Sequence, residues 1–480
     1  MPVSQIYFVF LYAQTQMRVH ITMKRHTYLL LLACALLMAA CAKDDETVYS
    51  SHCYISGVTL GAVRRQMHTT TSDGRDSTYY TTFSGSNFAM TVDQRNLLIE
   101  NHDSLLYGSD VSALLVTINY VGLMVAYRTT DDEDDEWLAY QTTDSLDVSR
   151  PLCLRVVSED GNSERYYTLR INIHQQEGDS LYWSRVDSVA AFAGMTQMHA
   201  AVLNDTLMVL GRTGSGVTRA VRSTTGVAGE WTVEATDLPG NADVEGIKQR
   251  GSRFYANTDE GALYTSSDGK CWNQMAPPAG TVLAAVTDRW LYAIVGGHLC
   301  RSADGAAWSE ETLDDSLSFL PQTSLRSYRI AQDNGNVRLT LLGYRRDEDN
   351  DSTAVAWSKL WNEYTPEDEA GWMYINPTPD NVYRCPRLEH LNLFPYDGRG
   401  LAIGGASEAG HGQHEALDAL YFSNDQGITW KPDYELHLPA AARGVSGPVA
   451  AVADGNNYIW LIASNQVWRG RLNRLGFARQ

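Results

Sequence analysis

The stretch "YFSNDQGITW", residues 421–430, decides how the chain is read. It sets Ser423, Asp425 and Thr429 close together, a grouping that could serve chemistry. The same residues suit a tight turn. Asp and Ser side chains accept from and donate to the main chain of a turn. Gly427 tolerates positive φ there. Trp430 begins the next strand and packs its ring under the turn. The stretch is read as architecture, with Asp425 holding the turn.

The reading strengthens because the pattern recurs. "LYTSSDGKCW" (263–272) and "LCRSADGAAW" (299–308) share Ser-x-Asp and a trailing Trp. "VRSTTGVAGEW" (221–231) is a degenerate copy without the Asp, and "AWSKLWNEYTPEDEAGW" (356–372) reads as another with an insertion. These copies resemble Asp-box repeats, Ser-x-Asp-x-Gly-x-Thr-Trp. Only the copy ending at Trp430 matches in full; those ending at Trp272 and Trp308 are one residue shorter before the glycine. The box residues are Ser266, Asp268, Gly269, Trp272, Ser302, Asp304, Gly305, Trp308, Ser423, Asp425, Gly427 and Trp430. In families with this box the Asp lies on the rim, away from any active site.

Strand-like runs precede the boxes: "MHAAVLNDTLMVLG", "LAAVTDRWLYAIVGGHLC" and "LNLFPYDGRGLAIGG". Two strands, a third leading into the box and a fourth starting at Trp make one four-stranded propeller blade. Trp231, Trp272, Trp308, Trp372 and Trp430 mark five. A sixth set, "PVAAVADGNNYIWLIASNQVWRGRL" (448–472), lacks a fourth strand. "SLYWSRVD" (180–187), with Trp183, supplies one and removes an open sheet edge. The expectation is a six-bladed propeller over 178–480, closed by strands from both its ends. A seventh blade hidden in the irregular stretch 309–372 is the alternative.

Residues 50–175 read differently. "ALLVTINY", "GLMVAYRT", "PLCLRVVS" and "RYYTLRINIH" are β-branched and aromatic runs bounded by turn residues. Asp160-Gly161 sits between two of them as a hairpin signal. The spacing predicts a β-sandwich, so the whole chain is expected to be all-β. The sandwich resembles immunoglobulin-like domains of Bacteroidota lipoproteins, which implies a spacer or adhesion role.

The N-terminus points to export. "MKRHTYLLLLACALLMAAC" begins at Met23, a candidate start, with a basic head and an apolar run from Tyr28 to Ala40. That run is too short to span a bilayer and fits a secretory signal. "LMAAC" resembles a bacterial lipobox, with Met38 where Leu is preferred, and implies acylation of Cys41. Residues 1–41 then form the leader and signal, and 42–49 a tether. "AKDDE" after the cysteine resembles the export signal of Bacteroidota surface lipoproteins. An ordinary signal peptide and a plain polar tether are the alternatives. The expected place is the outer membrane, exposed at the surface, or else its periplasmic face, with the membrane as a partner through lipid.

The net charge is −19. Residues 1–40 hold Arg18, Lys24 and Arg25 and no acid, so the remainder sets 35 basic residues against 57 acidic, −22. Such a surface repels phosphate backbones, and nucleic acid is not an expected partner. Beyond residue 41 the cysteines are Cys53, Cys153, Cys271, Cys300 and Cys385, an odd number in no zinc pattern. Cys53 and Cys153 could form a disulfide or remain free thiols. "DDEDDE" (131–136) lacks the spaced oxygens and glycine of a calcium loop and reads as solvated. "DEDND" (347–351) fails the same test. No metal or cofactor is expected.

The ensemble resembles one family of Bacteroidota lipoproteins with a signal, an immunoglobulin-like domain and an Asp-box propeller. The lipobox, the boxes, "EHLNLFPYDG" (389–398) and "VWRGRLNRLGF" (467–477) carry the likeness. It implies fold and location and is silent on chemistry. Asp-box propellers also include sialidases, which resemblance would equip with three arginines and a Tyr–Glu pair. Their early Arg-Ile-Pro motif is missing here; "YRIA" (328–331) is the nearest string and falls too late. No catalytic residue is assigned. A polar site on a propeller belongs at the mouth of the central channel. The segments leading into the inner strands offer Arg387, Glu389 and His390, with Arg384 nearby, and Tyr328 and Arg329. An inter-blade ion pair is the structural alternative for the first three. His411 and His414 sit on a loop that imposes no metal geometry. The expected function is non-catalytic binding of a glycan or protein, with a glycan-active hydrolase or lyase as the rival. Two carboxylates about 5–10 Å apart at the channel mouth would favour the rival.

Overall fold

A computed structural model describes residues 48–70, 75–130, 136–226, 229–346, 351–365, 369–378, 380–433 and 436–477. The signal, Cys41 and the tether through residue 47 lie outside the described residues, as do 131–135 and 347–350 of the two acidic runs. The chain divides into two compact units: residues through Leu105 with Ser109–Asn172, and Leu106–Gly108 with the chain from Ile173. The described regular structure is strand, with a few single-turn 3-10 segments. Among the described residues no helix is long and apolar enough to cross a membrane.

In the first unit a six-stranded sheet runs in the order Met90–Asp93, Leu98–Asn101, Glu164–Arg170, Leu152–Val157, Met124–Thr129, Leu138–Ala139. Two three-stranded sheets accompany it, centred on Leu114–Val121 and Ala62–Thr70. Alternation sets the buried faces: Leu152, Leu154 and Val156 are buried, as are Leu114, Val116 and Ile118. Gly161, at φ 71°, turns the hairpin between Leu152–Val157 and Glu164–Arg170. The five described cysteines are free, so the Cys53–Cys153 pairing does not occur. Cys153 lies mid-strand opposite Thr168 and Arg128, whereas Cys53 precedes Tyr54–Leu60, a strand of a different sheet.

The second unit holds six four-stranded sheets. In chain order their first strands are Gln197–Leu203, Lys248–Arg250, Val282–Val286, Thr323–Ala331, Asn392–Tyr396 and Val449–Ala453. Second strands carry continuous buried runs because both faces are covered. Leu207 to Leu210 are all buried, and so is every residue of Ile459–Ala463. Apolar clusters fill each interface between successive sheets. A further cluster joins Trp460, Ile462 and Val467 of the last sheet to Met198, Leu207 and Val209 of the first. The sheets therefore close into a ring.

Leu181–Ser188 completes the last sheet, antiparallel to Gln466–Leu472, with Trp183 opposite Gly470. A Cβ on Gly470 would stand 2.5 Å from the Trp183 ring. The indole N–H donates to the His437 carbonyl at 2.8 Å. Asparagines stitch neighbouring sheets together. Asn392 donates to the Val449 carbonyl and accepts from the Ala451 N–H. Asn257 does the same between Thr281 and Leu283.

The three Ser-x-Asp turns share one geometry. Asp425 accepts from Thr429 N–H at 2.8 Å, from the Thr429 hydroxyl at 2.6 Å and from the Ser423 hydroxyl at 2.9 Å. Ser423 Oγ accepts from Gly427 N–H at 2.7 Å. Asp268 and Asp304 accept from the two amides that follow their turn glycines, Lys270 with Cys271 and Ala306 with Ala307. In all three the tryptophan N–H donates back to the glycine carbonyl, Trp272 to Gly269, Trp308 to Gly305 and Trp430 to Gly427. Each glycine has positive φ, 74°, 83° and 110° in turn.

Candidate functional site

The ring encloses a cavity of about 320 Å³. Its wall takes His199, Lys248, Val286, Arg326, Leu393 and Val452, one residue from the first strand of each sheet. A single cavity lined by the first strands of all six sheets is what a radial arrangement produces.

Residues 177–480 match the DUF6242 beta propeller domain, and residues 58–171 match the N-terminal domain of the same family, a domain of unknown function. The chain belongs to the DUF6242 family. No curated protein matches it. Among solved structures, the propeller is similar to YjhT at 13% identity and TM-score 0.36, over 59% of this chain and 95% of that one. YCF48 from Cyanidioschyzon merolae follows at 14% and 0.32, over 60% and 98%. The alpha-L-arabinanase of Penicillium chrysogenum, complexed with arabinobiose, stands at 11% and 0.34, over 60% and 96%.

Charged groups gather at one side of the DUF6242 channel. Glu245, three residues before the second sheet begins, accepts from His390 Nδ1 at 2.5 Å and from Arg326 at 3.3 Å. Arg326 also donates to the carbonyls of Leu391 at 2.7 Å and Leu325 at 3.1 Å. The Lys248 ammonium donates to the carbonyls of Leu325 at 2.7 Å and Gly246 at 3.1 Å. These bonds tie the starts of the second, fourth and fifth sheets together. Lys248 is 7% exposed and Arg326 8%.

Electrostatics follow from that burial. Burial, then the Arg326 charge, pulls the Lys248 amine down to about 7, with Asp243 opposing. Burial, then Lys248 and Arg326, holds His199 well below the ordinary imidazole range, so the ring is neutral. Burial also lowers His390, but the hydrogen bond and charge of Glu245, with Glu389 adding, raise it overall. Glu245 thus favours the protonated form of His390.

The residues proposed from sequence separate. His390 enters this cluster, in the left-handed region at φ 52°, a conformation that surrounding contacts must hold. Arg387 is buried and holds the lead-in loop from behind: it donates to Glu408 at 2.7 Å and to the Arg345 carbonyl, and lies over the Tyr344 ring. Tyr344 donates to the Leu388 carbonyl at 2.7 Å. Glu389 is exposed. The Tyr328 side chain packs against Trp430, ring centroids 5.9 Å apart, in the core between the fourth and fifth sheets. Both Tyr328 and Arg329 also line the channel cavity, and Arg329 pairs with Asp288. His411 and His414 bond within their own surroundings, to the Asp351 carbonyl and to Asp418.

Sequence reasoning missed Glu245, Lys248, Arg326 and His199. The usable signal is repeat phase: each stands in a first strand or just ahead of one.

A second buried charge cluster joins the third and fourth sheets. Lys359 meets Glu311 at 2.5 Å and Glu369 at 3.3 Å, and Arg301 meets the same two acids at 3.1 and 2.7 Å. It too lines a cavity of about 320 Å³.

Proposed function

We propose that this DUF6242 chain is a cell-envelope lipoprotein whose propeller binds a ligand at the mouth of its channel without transforming it. The six four-stranded sheets are read as six blades and the three Ser-x-Asp turns as Asp-boxes. The first unit is read as an immunoglobulin-like spacer, and Cys41 as the lipid anchor to the outer membrane, with the propeller at the cell surface.

One observation carries the choice between binding and hydrolysis. Among the described residues lining the channel cavity the only carboxylate is Glu245, and both its oxygens are engaged, by His390 and Arg326. A glycosidase needs a second carboxylate within about 5–10 Å to divide the acid and nucleophile roles. A rigid mouth with fixed polar groups suits recognition.

A glycan array paired with a hydrolysis screen on the same glycans tests this. Retention without product supports binding; product release replaces it with the hydrolase or lyase reading. Labelling with a radioactive fatty acid, lost on Cys41→Ala, checks the anchor. Protease shaving of intact cells checks exposure, and an uncut chain places it on the periplasmic face.

A further inference from the structure

We propose that the channel takes an anionic ligand, its carboxylate or sulfate group seated against Lys248, Arg326 and His199. The inference rests on the binding reading above and names the chemistry of the ligand.

The unused hydrogen-bond capacity of the wall points this way. An ammonium has three N–H donors and a guanidinium five. Lys248 uses two, both on backbone carbonyls. Arg326 uses three, on two carbonyls and Glu245. Neither is saturated. His199 lines the cavity, and its side chain makes no hydrogen bond to any described residue. Its neutral ring offers one donor.

The charges agree. Among the described residues Lys248 pairs with no carboxylate. Glu245 is drawn away by His390 and Arg326. Asp243 acts on Lys248 less than Arg326 does and accepts from the Gly246 N–H. The cavity thus presents cations in a protein with 57 acidic residues against 38 basic. An anion entering it meets donors in a setting of low dielectric, where charge-assisted bonds are strongest. A cationic ligand would face Lys248 and Arg326 directly. The volume, about 320 Å³, lies at the small end of ligand pockets, roughly 300–1,000 Å³. That suits a sugar acid or one terminal acidic sugar.

The test is calorimetric titration of the full chain in non-ionic detergent with glucuronate, inorganic sulfate and glucose. Binding of glucuronate or sulfate, but not glucose, is expected, and which of the two binds tells carboxylate from sulfate recognition. Lys248→Met should weaken binding at least tenfold. His199→Gln, which leaves every charge in place, should weaken it several-fold and guards against misfolding of the lysine variant. In the unaltered chain affinity should fall between pH 6 and 8 as Lys248 loses its proton among Arg326, His199, Glu245, His390 and Asp243. The Lys248→Met variant should lose that dependence down to what His390 contributes. Equal affinity for glucose and glucuronate would sink the anion and spare the binding reading. No response to either anion, with neutral glycans still retained on the array, does the same. Failure of all probes and of the array removes both.

Discussion

Lys359 and Lys248 are both buried in the propeller, and each lines a cavity of about 320 Å³. They are held in opposite ways. Lys359 sits between two carboxylates, Glu311 and Glu369, which Arg301 also meets, so two cations balance two anions. Lys248 rests on two carbonyls beside a second cation. A buried charge is tolerable when paired and hydrogen-bonded, and expensive when it is not. The first arrangement joins the third sheet to the fourth. The second is maintained at a cost to stability, which is what a site awaiting a counter-charge looks like.

The sharpest way to break that contrast is to truncate both lysines. Lys359→Met leaves Glu311 and Glu369 with Arg301 alone and should destabilise the propeller by about 3–5 kcal/mol. Lys248→Met removes a cation that no carboxylate pairs, and the Leu325 carbonyl keeps its bond from Arg326. It should be neutral or stabilising, because a buried charge without a counter-charge costs stability. Urea unfolding followed by tryptophan fluorescence reads both. Equal losses would mean the two clusters play the same structural part.

Proton linkage gives the next largest difference. With its folded pKa lowered to about 7, Lys248 is deprotonated in the folded state but still protonated in the unfolded chain between about pH 7 and 10. The unfolded state then binds more protons, so stability should rise with pH across that window. Lys248→Met should abolish the rise. His390 has the opposite sign. Its folded pKa is raised, so its pairing with Glu245 stabilises fully below about pH 6.5 and is lost as pH climbs through the folded value. His390→Gln should remove that decline. Denaturant midpoints at pH 6, 7, 8 and 9 separate the two, and a slope unchanged by either variant would refute the assignment.

How much of this was legible in the sequence depends on distance along the chain. The Ser-x-Asp turns were, because their bonds run two to four residues: Ser423 to Asp425, Asp425 to Thr429. Closure by the strand at Trp183 was also legible, since a lone strand at one end and a missing strand at the other leave one solution. The channel cluster was only partly so. His390 drew notice as part of a charged lead-in segment, but its partner Glu245 lies 145 residues away. Nothing local in "DVEGIKQRG" announces a buried lysine or an acid facing another sheet. Tyr328 shows the same limit: it lines the channel cavity, while its ring also packs on Trp430 in the neighbouring interface, a contact that no local pattern announces.

The rim sharpens the contrast further, because there a carboxylate is saturated locally. Asp425 accepts three hydrogen bonds within its own turn. Those bonds, more than offsetting burial, lower its pKa. Asp425→Ala orphans Thr429 N–H and the Ser423 hydroxyl, which should remove about 1–3 kcal/mol of stability. It should leave glucuronate or sulfate binding unchanged. Loss of binding in a variant that still folds would move the site from the channel to the rim.

The smallest effect compares two tryptophans that play one packing role with different polar outcomes. Trp430 and Trp372 are both buried, at 2% and 0% exposure, and each meets a tyrosine edge-on, Tyr328 at 5.9 Å and Tyr292 at 5.3 Å. Trp430 donates to the Gly427 carbonyl of its turn. Trp372, in the copy that has lost the Ser-x-Asp turn, leaves its indole N–H without a partner among the described residues. Replacing either by Phe opens a similar void and keeps the edge-on contact. The hydrogen bond is then the main difference, so Trp430→Phe should cost about 1 kcal/mol more than Trp372→Phe. The opposite order, measured by urea midpoints, would mean that the ring and not the turn bond is what the repeated tryptophan contributes.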